Sequence, residues 1–208
     1  MINLYTNSDS PNAQKIAIML AETKLPANLV NIDLTGQVAA PVEFTALSPK
    51  GSVPAIVDTK TGIKLFESTA ILLYLAKKSD MLMPSDSAKQ AEVMEWLMFE
   101  ASRIAPSAGA WFNFKVIAPN ERGDGLAYHA SELEQAAVII NQRLENREYI
   151  CDNFSVVDVA LYPWVYFLTE FVGLSKVKLP HLMHWAENLA QRESVIRGCE
   201  NHLNVKAA

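Results

Sequence analysis

Apolar and polar positions alternate at the start of the chain, Ile2-Asn3-Leu4-Tyr5, and then give way to the polar run Asn7-Ser8-Asp9-Ser10-Pro11. That pattern predicts a short strand and a loop. Ile16, Met19, Leu20 and Thr23 follow at helical spacing, with Ser10 placed as the cap and Pro11 in the first helical position. Pro26 ends this helix, and residues 29–34 read as a second strand. A loop rich in Gly, Ala and Pro follows, with one helical turn near Val42 to Leu47. The turn cluster Ser48-Pro49-Lys50-Gly51-Ser52-Val53-Pro54 leads into the strand Ala55-Ile56-Val57-Asp58. Thr61-Gly62 then turns the chain into Ile63-Lys64-Leu65-Phe66, and Ser68 is expected to cap a helix running to about Lys78. The order is β-α-β, then α, then β-β-α, which implies a parallel pair joined by an antiparallel hairpin.

After residue 78 the period changes. Residues 79–86, with Asp80, Pro84 and Asp86, read as a linker. Beyond it every periodic segment is helical: Val93, Trp96, Leu97, Glu100 and Ile104; then Leu133, Ala137, Ile140 and Leu144; then Leu182, Trp185, Ala186 and Leu189. Ser155-Val156-Val157-Asp158 has the form of a capping box opening a very apolar helix through Phe171, which Pro163 is expected to bend. The predicted organisation is an α/β domain over 1–78, a linker over 79–86 and an all-helical bundle over 87–208.

Composition narrows the function classes. The 208 residues carry a net charge of −5, so phosphate-rich nucleic acid is not the expected partner. Cys151 and Cys199 stand far apart and form no Cys-x-x-Cys, so neither a disulfide framework nor a zinc site is indicated. His129, His181, His184 and His202 lack metal-ligand company, and no metal is expected. The apolar runs fall short of the ~20 residues of a membrane span, and no basic and apolar leader precedes the first strand. A cytoplasmic protein with no membrane partner is expected.

Four segments could carry chemistry. Pro54 either opens a strand at its unpaired end or adopts the cis form, leaving the backbone of Val53 to pair with an extended peptide. Glu67-Ser68 is either a cap beside a solvated acid or a recogniser of an amino-acid head group, the helix start taking a carboxylate and Glu67 an ammonium. Ser10-Pro11-Asn12 starts a helix and could also aim a hydroxyl at a bound thiol, with Asn12 as a second donor. Lowering a thiol pKa from about 8.5 to about 6.5 takes about 2.7 kcal/mol of preference for the anion. A hydrogen bond to a charged group contributes about 1.5–3 kcal/mol and a helix start about 0.3–1 kcal/mol, so the two together suffice. Trp111-Phe112-Asn113-Phe114 either packs within the helical domain or walls an apolar substrate pocket. Tyr5, inside the first strand, reads as core.

Taken in order, Leu47-Ser48-Pro49-Lys50-Gly51-Ser52-Val53-Pro54-Ala55, Leu65-Phe66-Glu67-Ser68-Thr69-Ala70-Ile71-Leu72-Leu73-Tyr74-Leu75 and Phe154-Ser155-Val156-Val157-Asp158 resemble the cytosolic glutathione transferase family. The resemblance runs from Ile2 to about Ile196. It implies a thioredoxin-like α/β N-terminal domain followed by an all-α C-terminal helical bundle. It assigns glutathione as co-substrate, with Val53 pairing through its backbone, Pro54 as the cis-proline, and Glu67 and Ser68 on the γ-glutamyl group. Ser10 takes the place of the catalytic hydroxyl, or of the cysteine of some bacterial classes, with Asn12 beside it. Ser155 and Asp158 match a box that serves folding. Many relatives carry Lys or Gln before the Val-Pro pair; this chain has Ser52, with Lys50 as the substitute contact. Ser10-Pro11-Asn12 with Lys15 is similar to the Thr-Pro-Asn-x-x-Lys of bacterial nu-class proteins, associated with glutathione-dependent disulfide reduction and peroxidase activity. The implied function is attack of the glutathione thiolate on an electrophilic, largely apolar substrate bound near Trp111, Phe112 and Phe114. The alternatives are disulfide or peroxide reduction by glutathione, and a non-catalytic interaction module. A homodimer is expected from the family. Met94, Trp96, Met98 and Phe99 support it weakly, most of that stripe reading as core.

Overall fold

The computed structural model describes residues 1–119 and 123–204, except for the side chains of 201–204. His202 therefore lies outside the described side chains. The chain forms two compact units, one of residues 1–83 together with the chain from Leu189 onward, the other spanning Pro84–Asn188.

The first unit is built on a four-stranded sheet of order β2-β1-β3-β4. Strand β1 (Ile2–Thr6) pairs in parallel with β2 (Ala27–Asn31) and antiparallel with β3 (Ala55–Asp58), which pairs antiparallel with β4 (Lys64–Phe66). This is the βαβ-plus-hairpin arrangement read from the sequence. The second strand begins and ends earlier than its apolar run suggested. Pairing with β1, from Ile2 opposite Ala27, sets its register, and Asp33 closes it by accepting from the backbone of Thr35 and Val38 at 2.8 and 2.7 Å.

Strand alternation splits the buried side chains between the two faces. Tyr5, Ala55 and Val57 pack with Phe44 and Leu47 of the short helix α2 (Val42–Leu47). Their neighbours Leu4 and Ile56, paired in the ladder and fully buried, point the other way, the side to which alternation assigns helices α1 (Pro11–Thr23) and α3 (Ser68–Ser79). Tyr5 is core, as expected, yet its hydroxyl still reaches polar company: it donates to Glu43 Oε2 at 2.5 Å. Burial first, and then the hydrogen bond and charge of Glu43, push its phenol up to about 12. The final helix, α9 (Glu193–Asn204), packs against α1 and belongs to this unit.

The second unit is helical throughout its regular segments. Helix α4 (Ser87–Phe99) passes through a π-type turn, Glu100–Ile104, into α5 (Ala105–Phe112), which ends in a second π-type turn, Asn113–Ile117. The helix expected through Ile104 thus runs on from α4 but changes its hydrogen-bond register at Glu100–Ile104. Helix α6 (Gly125–Arg143) follows, then α7 (Val156–Tyr166) and α8 (Pro180–Ala190). The capping box at the start of α7 is complete, Ser155 Oγ accepting from Val157 N at 3.2 Å and Asp158 accepting from Ser155 N at 2.9 Å. Pro163 lies inside α7, and a π-type turn, Phe167–Phe171, prolongs it. Met94 and Met98 do not join the core as expected; they stand exposed on α4, while Trp96 and Phe99 are half-buried and pack edge to face. Among the described residues, no helix is long and apolar enough to cross a membrane.

Candidate functional site

The register of the sheet decides which predicted residues meet. Ala55 is opposite both Tyr5 and Phe66. The segments just beyond those partners therefore leave the sheet at one end: the loop to Ser10 after β1, Val53-Pro54 before β3, and Glu67-Ser68 after β4. Strand pairing alone brings the three segments together.

At the start of α1, Ser10 has extended backbone angles and its Oγ accepts from Ala13 N at 3.3 Å, so the predicted cap is present. The hydroxyl proton stays available to a ligand, because capping uses only the oxygen lone pair. Pro11 has no N–H to satisfy. Among the described residues, the Asn12 backbone N–H makes no hydrogen bond. One helix start thus carries two adjacent donors in the positive end of the helix dipole.

The start of α3 differs from expectation. Ser68 is not the cap; it is the first helical residue, and Glu67 takes the cap position. The reason is the backbone. Glu67 turns the chain at φ +72°, in the left-handed region, and its carbonyl accepts from Ile71 N at 3.0 Å. A non-glycine residue held there is uncommon, and such strain concentrates at functional sites. No side chain caps this helix, so its first N–H groups are left for water or a ligand. Ser68 Oγ instead donates to Asn12 Oδ1 at 3.3 Å, tying the start of α3 to the start of α1.

The Val53–Pro54 peptide is cis. Val53 is buried against Tyr5 and Ala13, and the sheet ladder begins only at Ala55. Ser52 is held through its backbone: its N–H donates to Ser48 Oγ at 3.0 Å, and Ser48 Oγ donates to Ser52 O at 2.8 Å. Its side chain and that of Lys50 are exposed, Lys50 lying in the turn that Gly51 closes at φ +67°.

The motif of Ser10-Pro11-Asn12 with Lys15 names Lys15 without giving it a role, and no pattern in the sequence points to the clamp of Ser48 on Ser52. Lys15, on the otherwise apolar face of α1, is fully buried and donates to Asn12 Oδ1 at 2.7 Å. A lysine one turn after Asn12 within an apolar stripe was the available signal. The clamp of Ser48 on Ser52 had no such signal, because it depends on the fold of the turn.

The aromatic segment belongs to the second unit. Trp111, 5% exposed, packs edge to face on Phe167. Phe114 stacks on His129, while Phe112 is 38% exposed. A cleft of about 340 Å³ in this unit, bordered by Arg147, His181, His184 and Asn188, contains none of the predicted site residues. Both cysteines are free thiols, Cys151 buried and Cys199 half-buried. Burial, followed by the charges of Glu92 and Asp158, pushes the Cys151 thiol up to about 11, and burial raises Cys199 above its ordinary value. Among the described residues, no three His, Cys, Asp or Glu side chains gather as metal ligands.

Comparison with known proteins matches this chain to a family. The N-terminal domain of glutathione S-transferase matches residues 1–77, and its C-terminal domain matches residues 111–193. A protein of Escherichia coli, disulfide-bond oxidoreductase YfcG, is 31% identical over 198 residues, covering 92% of this chain and 91% of its own. The chain belongs to the glutathione S-transferase family. Two solved structures of the family extend the likeness to three dimensions. A Pseudomonas fluorescens family member crystallised with two glutathione bound is 32% identical, with a TM-score of 0.86 over 96% of this chain and 92% of that one. A Pseudomonas putida glutathione transferase, solved with one glutathione disulfide bound per subunit, is 29% identical, with the same TM-score over 96% of this chain and 90% of that one.

Proposed function

We propose that this chain binds glutathione across the starts of α1 and α3 and uses its thiolate in thiol–disulfide exchange. The observation that carries the proposal is the Asn12 amide, whose oxygen receives both Ser68 and Lys15 and so joins the two helix starts into one site. In this reading the uncapped start of α3 takes the γ-glutamyl carboxylate and Glu67 the ammonium, a pairing of charges that favours an amino-acid head group. Val53 offers its backbone to the cysteinyl part as an added strand would. Lys50 stands toward the glycyl end in place of the residue that Ser52 lacks. Ser10 O–H and the donors of Asn12 hold the sulfur as its anion.

The reaction then needs no protein cysteine. Cys151 and Cys199 both have thiols raised by burial, which makes them poor thiolates near neutral pH. The glutathione thiolate attacks one sulfur of a disulfide; the disulfide bond breaks, a bond to the glutathione sulfur forms, and the leaving thiolate takes up a proton. A second glutathione repeats the step on the mixed disulfide and leaves as glutathione disulfide. The relative named a disulfide-bond oxidoreductase, and the neighbours holding glutathione disulfide or two glutathione, support this reaction over conjugation. Conjugation to an electrophilic apolar substrate would draw on the same thiolate. The working unit follows the family expectation of a homodimer.

Initial rates with glutathione and hydroxyethyl disulfide, set beside rates with an aryl halide and an organic hydroperoxide, test the proposal. The disulfide is expected to be turned over well above the uncatalysed background, and faster relative to that background than the aryl halide. Turnover of the aryl halide alone would replace exchange by conjugation. No turnover of any of the three would favour the interaction module.

A further inference from the structure

A lysine on a buried helix face is unusual, because its ammonium has to be compensated there. Lys15 is fully buried on α1, and its Nζ donates to Asn12 Oδ1 at 2.7 Å, one helical turn back. An ammonium has three donors and no acceptor. The atom of the Asn12 amide that faces it is therefore the oxygen. The two ends of an asparagine amide are hard to tell apart by shape, but this partner settles which is which. Ser68 Oγ donates to the same oxygen at 3.3 Å. Both partners sit on the oxygen, and the planar group turns its NH2 away from them. Among the described residues, Asn12 Nδ2 makes no hydrogen bond.

The orientation decides the sign of the interaction with sulfur. With the NH2 outward, the side chain donates to a thiolate and stabilises it. A half-turn would set two donors against each other at Lys15 and present a carbonyl oxygen to the sulfur, which repels an anion. We infer that Lys15 is a positioning residue: it locks the Asn12 amide so that the site offers the bound thiol a donor and never an acceptor. The inference rests on the proposed binding of glutathione at the start of α1. Lys15 itself does not touch the sulfur; it acts through Asn12.

Three variants separate this role from a structural one. Lys15→Met keeps the length of the stem and removes the donor. Lys15→Arg restores a donor. Asn12→Asp keeps an acceptor for Lys15, as an ion pair that retains the fold, yet can present only acceptors to the sulfur. The measurements are glutathione binding by calorimetry, the pH profile of kcat/KM for disulfide reduction, and the ultraviolet absorbance of the bound thiolate. Lys15→Met and Asn12→Asp are each expected to lower kcat by about tenfold or more, as loss of one well-placed donor does. Both are expected to move the bound-thiol pKa upward, with KM for glutathione little changed. Lys15→Arg is expected to recover most of the rate and the wild-type profile. A wild-type pH profile in Asn12→Asp, or Lys15→Arg as impaired as Lys15→Met, would overturn the inference while leaving glutathione binding intact. Absence of glutathione binding by the wild-type protein would overturn the functional reading and this inference with it.

Discussion

Trp185 Nε1 donates to Asp158 Oδ1 at 3.0 Å, closing a contact between residues 27 apart in the chain. The same carboxylate accepts from Ile150 N at 3.1 Å, Ser155 N at 2.9 Å and Ser155 Oγ at 3.2 Å. Burial pushes this carboxyl above its ordinary value against the pull of those donors. Asp158 thus does more than cap α7: it gathers the loop before the helix and the ring of α8 onto one buried group. Replacing it by alanine strands several buried donors at once, and each costs about 1–3 kcal/mol. Asp158→Ala is expected to lose about 3–5 kcal/mol, measured by chemical denaturation, which is a large share of the stability of a domain.

Of this network the sequence showed the local half. Ser155 and Asp158 stand at capping-box spacing, so their pairing follows from helix geometry. Trp185 and Ile150 join only through the tertiary fold, and no local pattern encodes them. The site follows the same division. Ser10 and Pro11 are legible because caps are local, whereas turn chemistry leaves Pro54 open between a strand start and a cis bond, and only the family resemblance favours the cis form that the structure has. Ser68 reads as the cap in place of Glu67, because the left-handed turn at Glu67 depends on the exit of β4 and not on residue preference. Lys15 is legible as a member of the motif but not in its role, because spacing says where a side chain points, not what it finds there. Met94 and Met98 read as core because periodicity cannot tell a stripe that is covered from one that is exposed.

Asp58 is the second buried carboxylate with a network. Tyr74 donates to its Oδ2, Lys78 Nζ lies 2.6 Å from the same oxygen, and Lys60 N donates to Oδ1 at 3.0 Å. Burial raises this carboxyl, but the hydrogen bonds of Lys78, Tyr74 and Lys60 together outweigh it and hold the group well below the usual range. A depressed folded pKa gives stability that is present above the unfolded value, about 3.9, and is lost as pH falls through the folded one. Wild type is therefore expected to lose stability steeply below about pH 4. Asp58→Asn is expected to be less stable at neutral pH by about 2–4 kcal/mol and to show a flatter decline in acid, read from denaturation curves along a pH series.

Gly198 of α9 lies against the backbone of α1. A Cβ built there would lie 2.5 Å from Ile18 Cα and 2.8 Å from its backbone nitrogen. Backbone cannot yield as a flexible side chain does. Alanine would gain about 1 kcal/mol in helix propensity and lose more to the overlap. Gly198→Ala is expected to lower stability by about 1–2 kcal/mol net, seen as a fall in Tm, where propensity alone predicts a rise.

The proposed reaction requires that the start of α1 stabilise a bound thiolate without a protein cysteine. The most direct measurement is the titration of glutathione's thiolate absorbance in complex with the wild-type protein and with Ser10→Ala. A free thiol titrates near 8.5, and the wild-type complex is expected to titrate about 1.5–2 units lower, with Ser10→Ala returning about one unit of that shift. A bound thiol that titrates as it does in free solution, or a Ser10→Ala complex indistinguishable from wild type, would contradict it.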